Sequence, residues 1–283
     1  MEIIPSILKY AFYTTVCVAG VPLSSCKSYD TKSVAAKIDT VKTAEAIKTT
    51  TPSFTYDSTK HYIYFTCDDG PQNGTMNCYH ILRDLNVKAS FFMITVQIDN
   101  ARLQKDVDSI RNGYPEFLLA NHSFTHANFN HYTAYFHQPD SAFRDFVKAQ
   151  QVMQVPLKIC RMPGNNSWAI KNRLRCTALT KELCYKLDSA GYNVTGWDVE
   201  WNFKNESGSI PVQSADHMIK EVNDAFKNNR NFNSNHVVIL VHDRMFAKKQ
   251  YADSLYKFIA TLKKDPQNEF ETIDHYPGLN LNN

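Results

Sequence analysis

From residue 60 onward the chain alternates short apolar runs with helical patterns, and this alternation limits the fold more than any other feature. Strand-like runs fall at 62–65, 89–94, 117–120, 158–160, 192–197 and 237–241, with one more at 270–276. Between them, 76–85, 103–112, 143–152, 180–190, 215–227 and 254–263 carry apolar residues at three- and four-residue spacing, as Ile219, Val222 and Phe226 do. Strands alternating with helices predict a parallel sheet with helical crossovers, closed as a barrel or left open. In such folds the chemistry collects where strands end at their C-terminal edge.

The residues that follow each run are therefore the informative ones. The first run is followed by Asp68 and Asp69, the third by "NHSFTH", the fourth by "RMPGNNSW", the fifth by "DVEW" and the sixth by "HDRMF". His122 and His126 are four apart, a spacing that on one helical turn puts both imidazoles on one face, able to share a metal. Two unrelated loop histidines are the alternative in a chain with ten. A carboxylate arriving from another strand end changes the weighing, because two His and one Asp form a catalytic zinc set that leaves coordination open.

That set makes the adjacent acids intelligible. Neighbouring side chains of a regular strand point to opposite faces. For both to address one site, the strand must already be ending, and Gly70-Pro71 turns the chain there. One carboxylate then ligates a cation while its neighbour addresses the water beside it, and the cation removes their repulsion. Without the histidines, a solvated Asp-Asp-Gly turn would be the better reading.

"TCDDGP", "NHSFTH", "RMPG", "DVEW" and "LVH" occur in the order found in polysaccharide deacetylases of the NodB-homology type, carbohydrate esterase family four, which this chain resembles from residue 62 to about 276. The resemblance implies an α/β fold, a distorted (β/α) barrel of the polysaccharide deacetylase type with about seven parallel strands rather than eight. It implies Asp68 as catalytic base and Asp69, His122 and His126 as ligands of a divalent metal, usually Zn2+. Arg161 would orient the base, the Gly164 N–H would stand where the family places an oxyanion donor, His242 would be the general acid, and Leu240 would line the acetyl pocket. The expected activity is removal of acetyl groups from N- or O-acetylated sugars of a polysaccharide. The alternatives are a weak or inactive carbohydrate-binding protein on the same scaffold, or a non-sugar amide hydrolase of the same superfamily.

Two motifs depart from the family pattern. An Asp before a Trp normally polarises the acid histidine; here "GWDVEWNF" offers Glu200 in that slot, with Asp198 as rival on the same strand face. Gly164 stands where the family often has an aromatic, which removes a wall of the cleft. Trp168 and Trp201 are expected to replace it as sugar-stacking faces, with core packing as the alternative.

The N-terminal part reads separately. Residues 10–23 form an apolar run after Lys9, too short to span a bilayer comfortably but suited to a signal-peptide core. It ends "LSSC", which resembles a bacterial lipobox and implies lipidation at Cys26; an ordinary secretory signal or a buried segment are the alternatives. The expectation is a signal over 1–25, a tether over 26–59 rich in Lys, Thr, Ala and Ser, and a catalytic domain over 60–283, exported and lipid-anchored in the bacterial cell envelope. Of the seven cysteines, setting aside Cys17 and Cys26 leaves Cys67, Cys78, Cys160, Cys176 and Cys184, an odd set that cannot all pair internally. Lys plus Arg is 31 against 28 Asp plus Glu, a formal charge of +3. That balance gives no case for nucleic acid as partner. Acetylated polysaccharide is the expected partner, the membrane is touched only through the lipid, and a monomer is expected.

Overall fold

The computed structural model describes residues 54–205 and 209–281. The signal-type run, Cys26 and the tether up to residue 53 lie outside them. β1 (His61–Gly70) is the central strand. It pairs in parallel with β2 (Ala89–Met93) on one side and with β11 (His236–His242) on the other. Outward from β2 follow β3 (Phe117–Asn121), β4 (Ile159–Cys160) and β7 (Asn193–Val194), and outward from β11 lies β8 (Val199–Glu200). These seven strands are parallel, as expected, and form a curled, open sheet. β5 (Trp168–Ile170) and β6 (Arg173–Arg175) extend one edge in antiparallel fashion, and β12 (Asn268–Phe270) pairs with the start of β1. β9 (Phe203–Asn205) and β10 (Ser209–Pro211) form a separate antiparallel pair.

The two faces of the sheet follow from the period-two alternation of each strand. Ile63, Phe65 and Cys67 of β1, with Val237, Ile239 and Val241 of β11, face a layer of helices and share a core with Leu82, Val107, Met218, Val222 and Phe258. The opposite face carries Tyr62, Tyr64 and Val238 into a second core with Trp168, Ile273 and Tyr276. Thr66 and Asp68 continue that inner face upward, which is how β1 delivers a carboxylate to the top of the sheet. The covering helices are α1 (Thr75–Asp84), α2 (Ala101–Asn112), α6 (Ala215–Lys227) and α7 (Lys249–Lys263), with α3 (Tyr132–Phe136), α4 (Pro139–Val152) and α5 (Lys181–Ser189) toward the other edge. Local signals set their starts. Asn100 accepts from the N–H groups of Arg102 and Leu103, Ser214 accepts from that of His217, and Pro139 begins α4.

Two expectations are revised near the ends of the domain. The run 270–276 is not one strand: β12 stops at Phe270, and Ile273–His275 is a 3-10 turn. Residues assigned to the tether pack on the base of the sheet, where Phe54 stacks on His275 at 4.4 Å and the Tyr56 hydroxyl donates to the His275 carbonyl at 2.6 Å. Glu271 sits there between Lys88 Nζ (2.8 Å) and His275 Nδ1 (2.7 Å). The hydrogen bond to Glu271 raises the His275 pKa against the opposing effect of burial. Burial raises Glu271, but its bonds to His275 and Lys88 prevail and lower it. The His275 contribution is thus fully present below its unfolded value and is lost as pH rises through the folded one; the Glu271 contribution is lost as pH falls through its lowered value. His275→Gln should therefore destabilise more at about pH 6 than at about pH 8.5 in urea titrations. Equal losses at both pH values would remove the ion pair from the account.

Candidate metal and catalytic site

The site is built at the top of β1. The β1–β2 register runs Asp68 opposite Phe92 and then Gly70 opposite Met93, so Asp69 is an extra residue in the ladder. Asp69 has φ 74°, in the left-handed region. A bulge of this kind re-aims a side chain, and it turns both carboxylates toward one place. The expectation that β1 ends before the acids is corrected accordingly: the strand continues through Gly70, and the bulge does what the turn was expected to do.

His122 follows directly after β3. His126 opens a turn in which residues 126–130 have φ of 53°, 53°, 52°, 56° and 71°. The two imidazoles are therefore not on one right-handed helical turn, as the spacing suggests. A left-handed turn costs about 1–2 kcal/mol per non-glycine residue, and such strain gathers at functional sites. Its result is local: the ring centroids of His122 and His126 lie 5.2 Å apart.

Hydrogen bonding fixes what each imidazole presents. His122 Nδ1 lies 3.0 Å from the Arg161 carbonyl, which can only accept. His126 Nδ1 lies 2.6 Å from Asn130 Oδ1, an oxygen that also accepts from the Tyr132 hydroxyl. Both rings thus carry their proton on Nδ1 and aim an Nε2 lone pair inward. The two Nε2 atoms stand 3.4 and 3.1 Å from Asp69 Oδ1, which is buried and has no hydrogen-bond partner. Three lone-pair donors, all within 4.8 Å of one another, converge on one point. That arrangement fits a divalent cation with His and carboxylate ligands. A proton competes for the same nitrogens: burial lowers the His122 pKa, but the charges of Asp68 and Asp69 outweigh it and raise it.

Asp68 is held differently. Arg161 Nη1 donates to its Oδ1 at 2.8 Å and to Thr66 Oγ1 at 2.7 Å. The other Arg161 donors reach the carbonyls of Thr195 (3.2 Å) and Gly196 (2.8 Å), and its guanidinium rests 4.2 Å from the centre of the Phe92 ring. Arg161 is fully buried, and burial lowers its pKa even beside Asp68. Asp68 Oδ2 remains free of that clamp and lies 3.7 Å from His122 Nε2.

His242 ends β11 directly opposite Asp68 in the ladder. Its Nε2 is 4.0 Å from Asp69 Oδ2, and Phe203 packs edge-on against its ring at 4.8 Å. Burial lowers its pKa against the opposing charges of Asp69 and Asp68. The expected contact with Glu200 is not made: His242 Nδ1 is buried without a partner, while Glu200 Oε2 accepts from the Trp197 indole at 3.1 Å. Asp198 is no substitute, because it accepts the N–H groups of Phe232 (2.7 Å) and Val238 (2.9 Å). Leu240 lies on the same face of β11 as His242 and is buried.

The cleft walls also differ from expectation. Trp168 and Trp201 are fully buried, so neither offers a sugar-stacking face. Gly164 is exposed with φ 61°, and a Cβ there would meet the Tyr132 ring at 2.7 Å. Tyr132 therefore takes the space that a larger residue at 164 would fill. The half-buried aromatics around the site are Tyr132, Trp197 and Phe203. Gly164→Ala should cost about 1–2 kcal/mol for the left-handed backbone and push Tyr132 aside, which denaturant titration would register. A loss no larger than the backbone cost would show that the ring moves freely, and an unchanged midpoint would overturn both contributions.

Sequence reasoning missed Arg244, whose Nη2 pairs with Asp69 Oδ2. Its signal was its place in "HDRMF", two residues past His242. It also missed Asn130 and Tyr132, which no sequence period connects to His126.

The fold and the converging Asp–His–His set together define a candidate metal site at the top of a curled, mostly parallel sheet. The sequence model of the polysaccharide deacetylase family matches residues 55–169. A chitin disaccharide deacetylase of Vibrio alginolyticus is 21% identical to it, over 79% of this chain and 73% of that one. A family 4 carbohydrate esterase from Streptomyces lividans, solved in complex with acetate, shares the fold with TM-score 0.53, 23% identity and coverage of 77% of this chain and 95% of that one. A family 4 acetyl xylan esterase from Clostridium thermocellum, in complex with a cobalt ion, gives TM-score 0.52, 20% identity and coverage of 75% and 88%.

Proposed function

We propose that the protein is a divalent-cation-dependent hydrolase that removes acetyl groups from N- or O-acetylated sugars of a polysaccharide. The observation that carries this reading is the convergence of Asp69 Oδ1 with the two Nε2 lone pairs, beside a carboxylate clamped by Arg161. Asp69, His122 and His126 would hold the cation, with zinc the best-suited ion; when bound, it supplies Lewis acidity and acidifies water at the site.

The chain's own groups account for the rest. Asp68 Oδ1 is tied to Arg161, so Oδ2 is the atom left to take a proton from the attacking water. Arg161 fixes the direction of that carboxylate. The exposed backbone at Gly164 is suited to offer its N–H to the developing oxyanion, a contact worth about 3 kcal/mol in such sites. His242, across the ladder from Asp68, delivers a proton to the leaving nitrogen or oxygen. Leu240 on the same strand face bounds the acetyl methyl. Glu200 accepts from the Trp197 indole and does not bond His242, so no step of the reaction is assigned to it. The N-terminal sequence supports export and lipid anchoring at Cys26, in the cell envelope where such substrates lie.

The unpartnered His242 Nδ1 favours one second reading, a glycan-binding protein with little turnover. Acetate release from acetylated chitin oligosaccharides, peptidoglycan fragments and acetylated xylan separates the two. Release that stops on chelation and returns with zinc supports the hydrolase. Glycan binding without acetate from any of these would replace it with the binding protein.

A further inference from the structure

We propose that Arg244 competes with the divalent cation for Asp69 and thereby sets how tightly the site holds its metal. The inference rests on reading Asp69, His122 and His126 as a cation site, and goes beyond it.

Arg244 lies in the 3-10 turn Asp243–Phe246 that follows β11. Its Nη2 pairs with Asp69 Oδ2, a carboxylate that is only 4% exposed, while the Arg244 side chain is 35% exposed. Asp69 therefore presents Oδ1 to the imidazoles and gives Oδ2 to a guanidinium. The manner of holding separates Arg244 from a structural arginine. Arg161 spends its donors on Asp68, Thr66, Thr195 and Gly196. Arg244 Nε is buried with no partner, and the guanidinium otherwise rests against the Phe203 ring at 4.9 Å. An unmet buried N–H calls for an explanation, and a contact kept at that cost is one the side chain can give up. Its partly exposed path leaves room to swing toward solvent.

Charge gives the direction of the effect. With neutral imidazoles, the two guanidiniums balance the two carboxylates of Asp68 and Asp69. A dication entering that balanced site is repelled by a guanidinium on its own ligand, and at such range inside a protein the repulsion is little screened. Moving Arg244 away, or removing it, leaves the site with a net negative charge and a freed Asp69 Oδ2.

Zinc titration of the metal-stripped full chain by calorimetry tests this. Arg244→Gln should bind zinc about tenfold or more tightly than wild type, and the stripped variant should melt lower while the zinc-loaded one does not. Arg244→Lys, which keeps the charge and is the safer variant for folding, should stay near wild-type affinity. Equal or weaker zinc binding by Arg244→Gln would overturn the proposal, as would a Lys variant that gains as much as Gln. A wild-type chain that takes up no zinc would instead overturn the cation site itself. The two failures are thus distinguishable without an activity assay.

Discussion

Asp69→Asn is expected to cut zinc affinity by about 10²-fold or more, beyond what loss of a supporting contact around a metal ligand costs, and to take acetate release down with it. The substitution keeps size and shape and removes one charge. An amide oxygen still offers a lone pair, but it no longer draws a cation into a pocket where Asp69 is 3% exposed and two imidazoles supply no charge of their own. Arg244 loses its partner at the same time, so its positive charge stands unopposed beside the site. Both effects act in one direction. Calorimetric zinc titration and acetate release check them independently. A D69N variant that holds zinc as wild type does would place the cation elsewhere.

Much of this is legible in the sequence because strand ends carry the chemistry and parallel order is set by periodicity. Six of the seven parallel strands, and the arrival of Asp68, Asp69, His122, Arg161 and His242 at one edge, follow from where apolar runs stop; β8, two residues long, lies in no such run. What is not legible follows from backbone geometry that no period encodes. The bulge at Asp69 and the left-handed turn from His126 to Asn130 both lie in dihedral regions that Asp and Asn tolerate but do not announce. The tryptophans mislead for a related reason: a Trp beside a polar motif reads as a cleft wall, yet Trp168 and Trp201 point into the cores, and the wall is made by Tyr132 at the start of α3. Motif position alone assigns Glu200 to His242. Its strand is only two residues long, and its carboxylate turns to the nearer donor on Trp197.

Arg161→Met should destabilise the fold by about 3–5 kcal/mol, the usual result of breaking a buried charge pair from one side. Methionine fills the space of the aliphatic stem but not that of the guanidinium over Phe92, so the loss combines the stranded charge with that ring contact. Asp68, 2% exposed, would be left with a charge that no guanidinium meets and that faces the imidazoles of His122 and His242, and the carbonyls of Thr195 and Gly196 would lose their donor. Adding Asp68→Asn tests the cause. If the stranded charge dominates, the double variant should recover a measurable part of the loss, because neither charge then remains in the interior. If the unmet carbonyls dominate, the double variant should be no more stable than Arg161→Met alone. Urea unfolding of the two single variants and the double variant gives the coupling energy. Acetate release should fall in all three, since without Arg161 nothing holds Asp68 Oδ1, and without Asp68 no carboxylate faces the water.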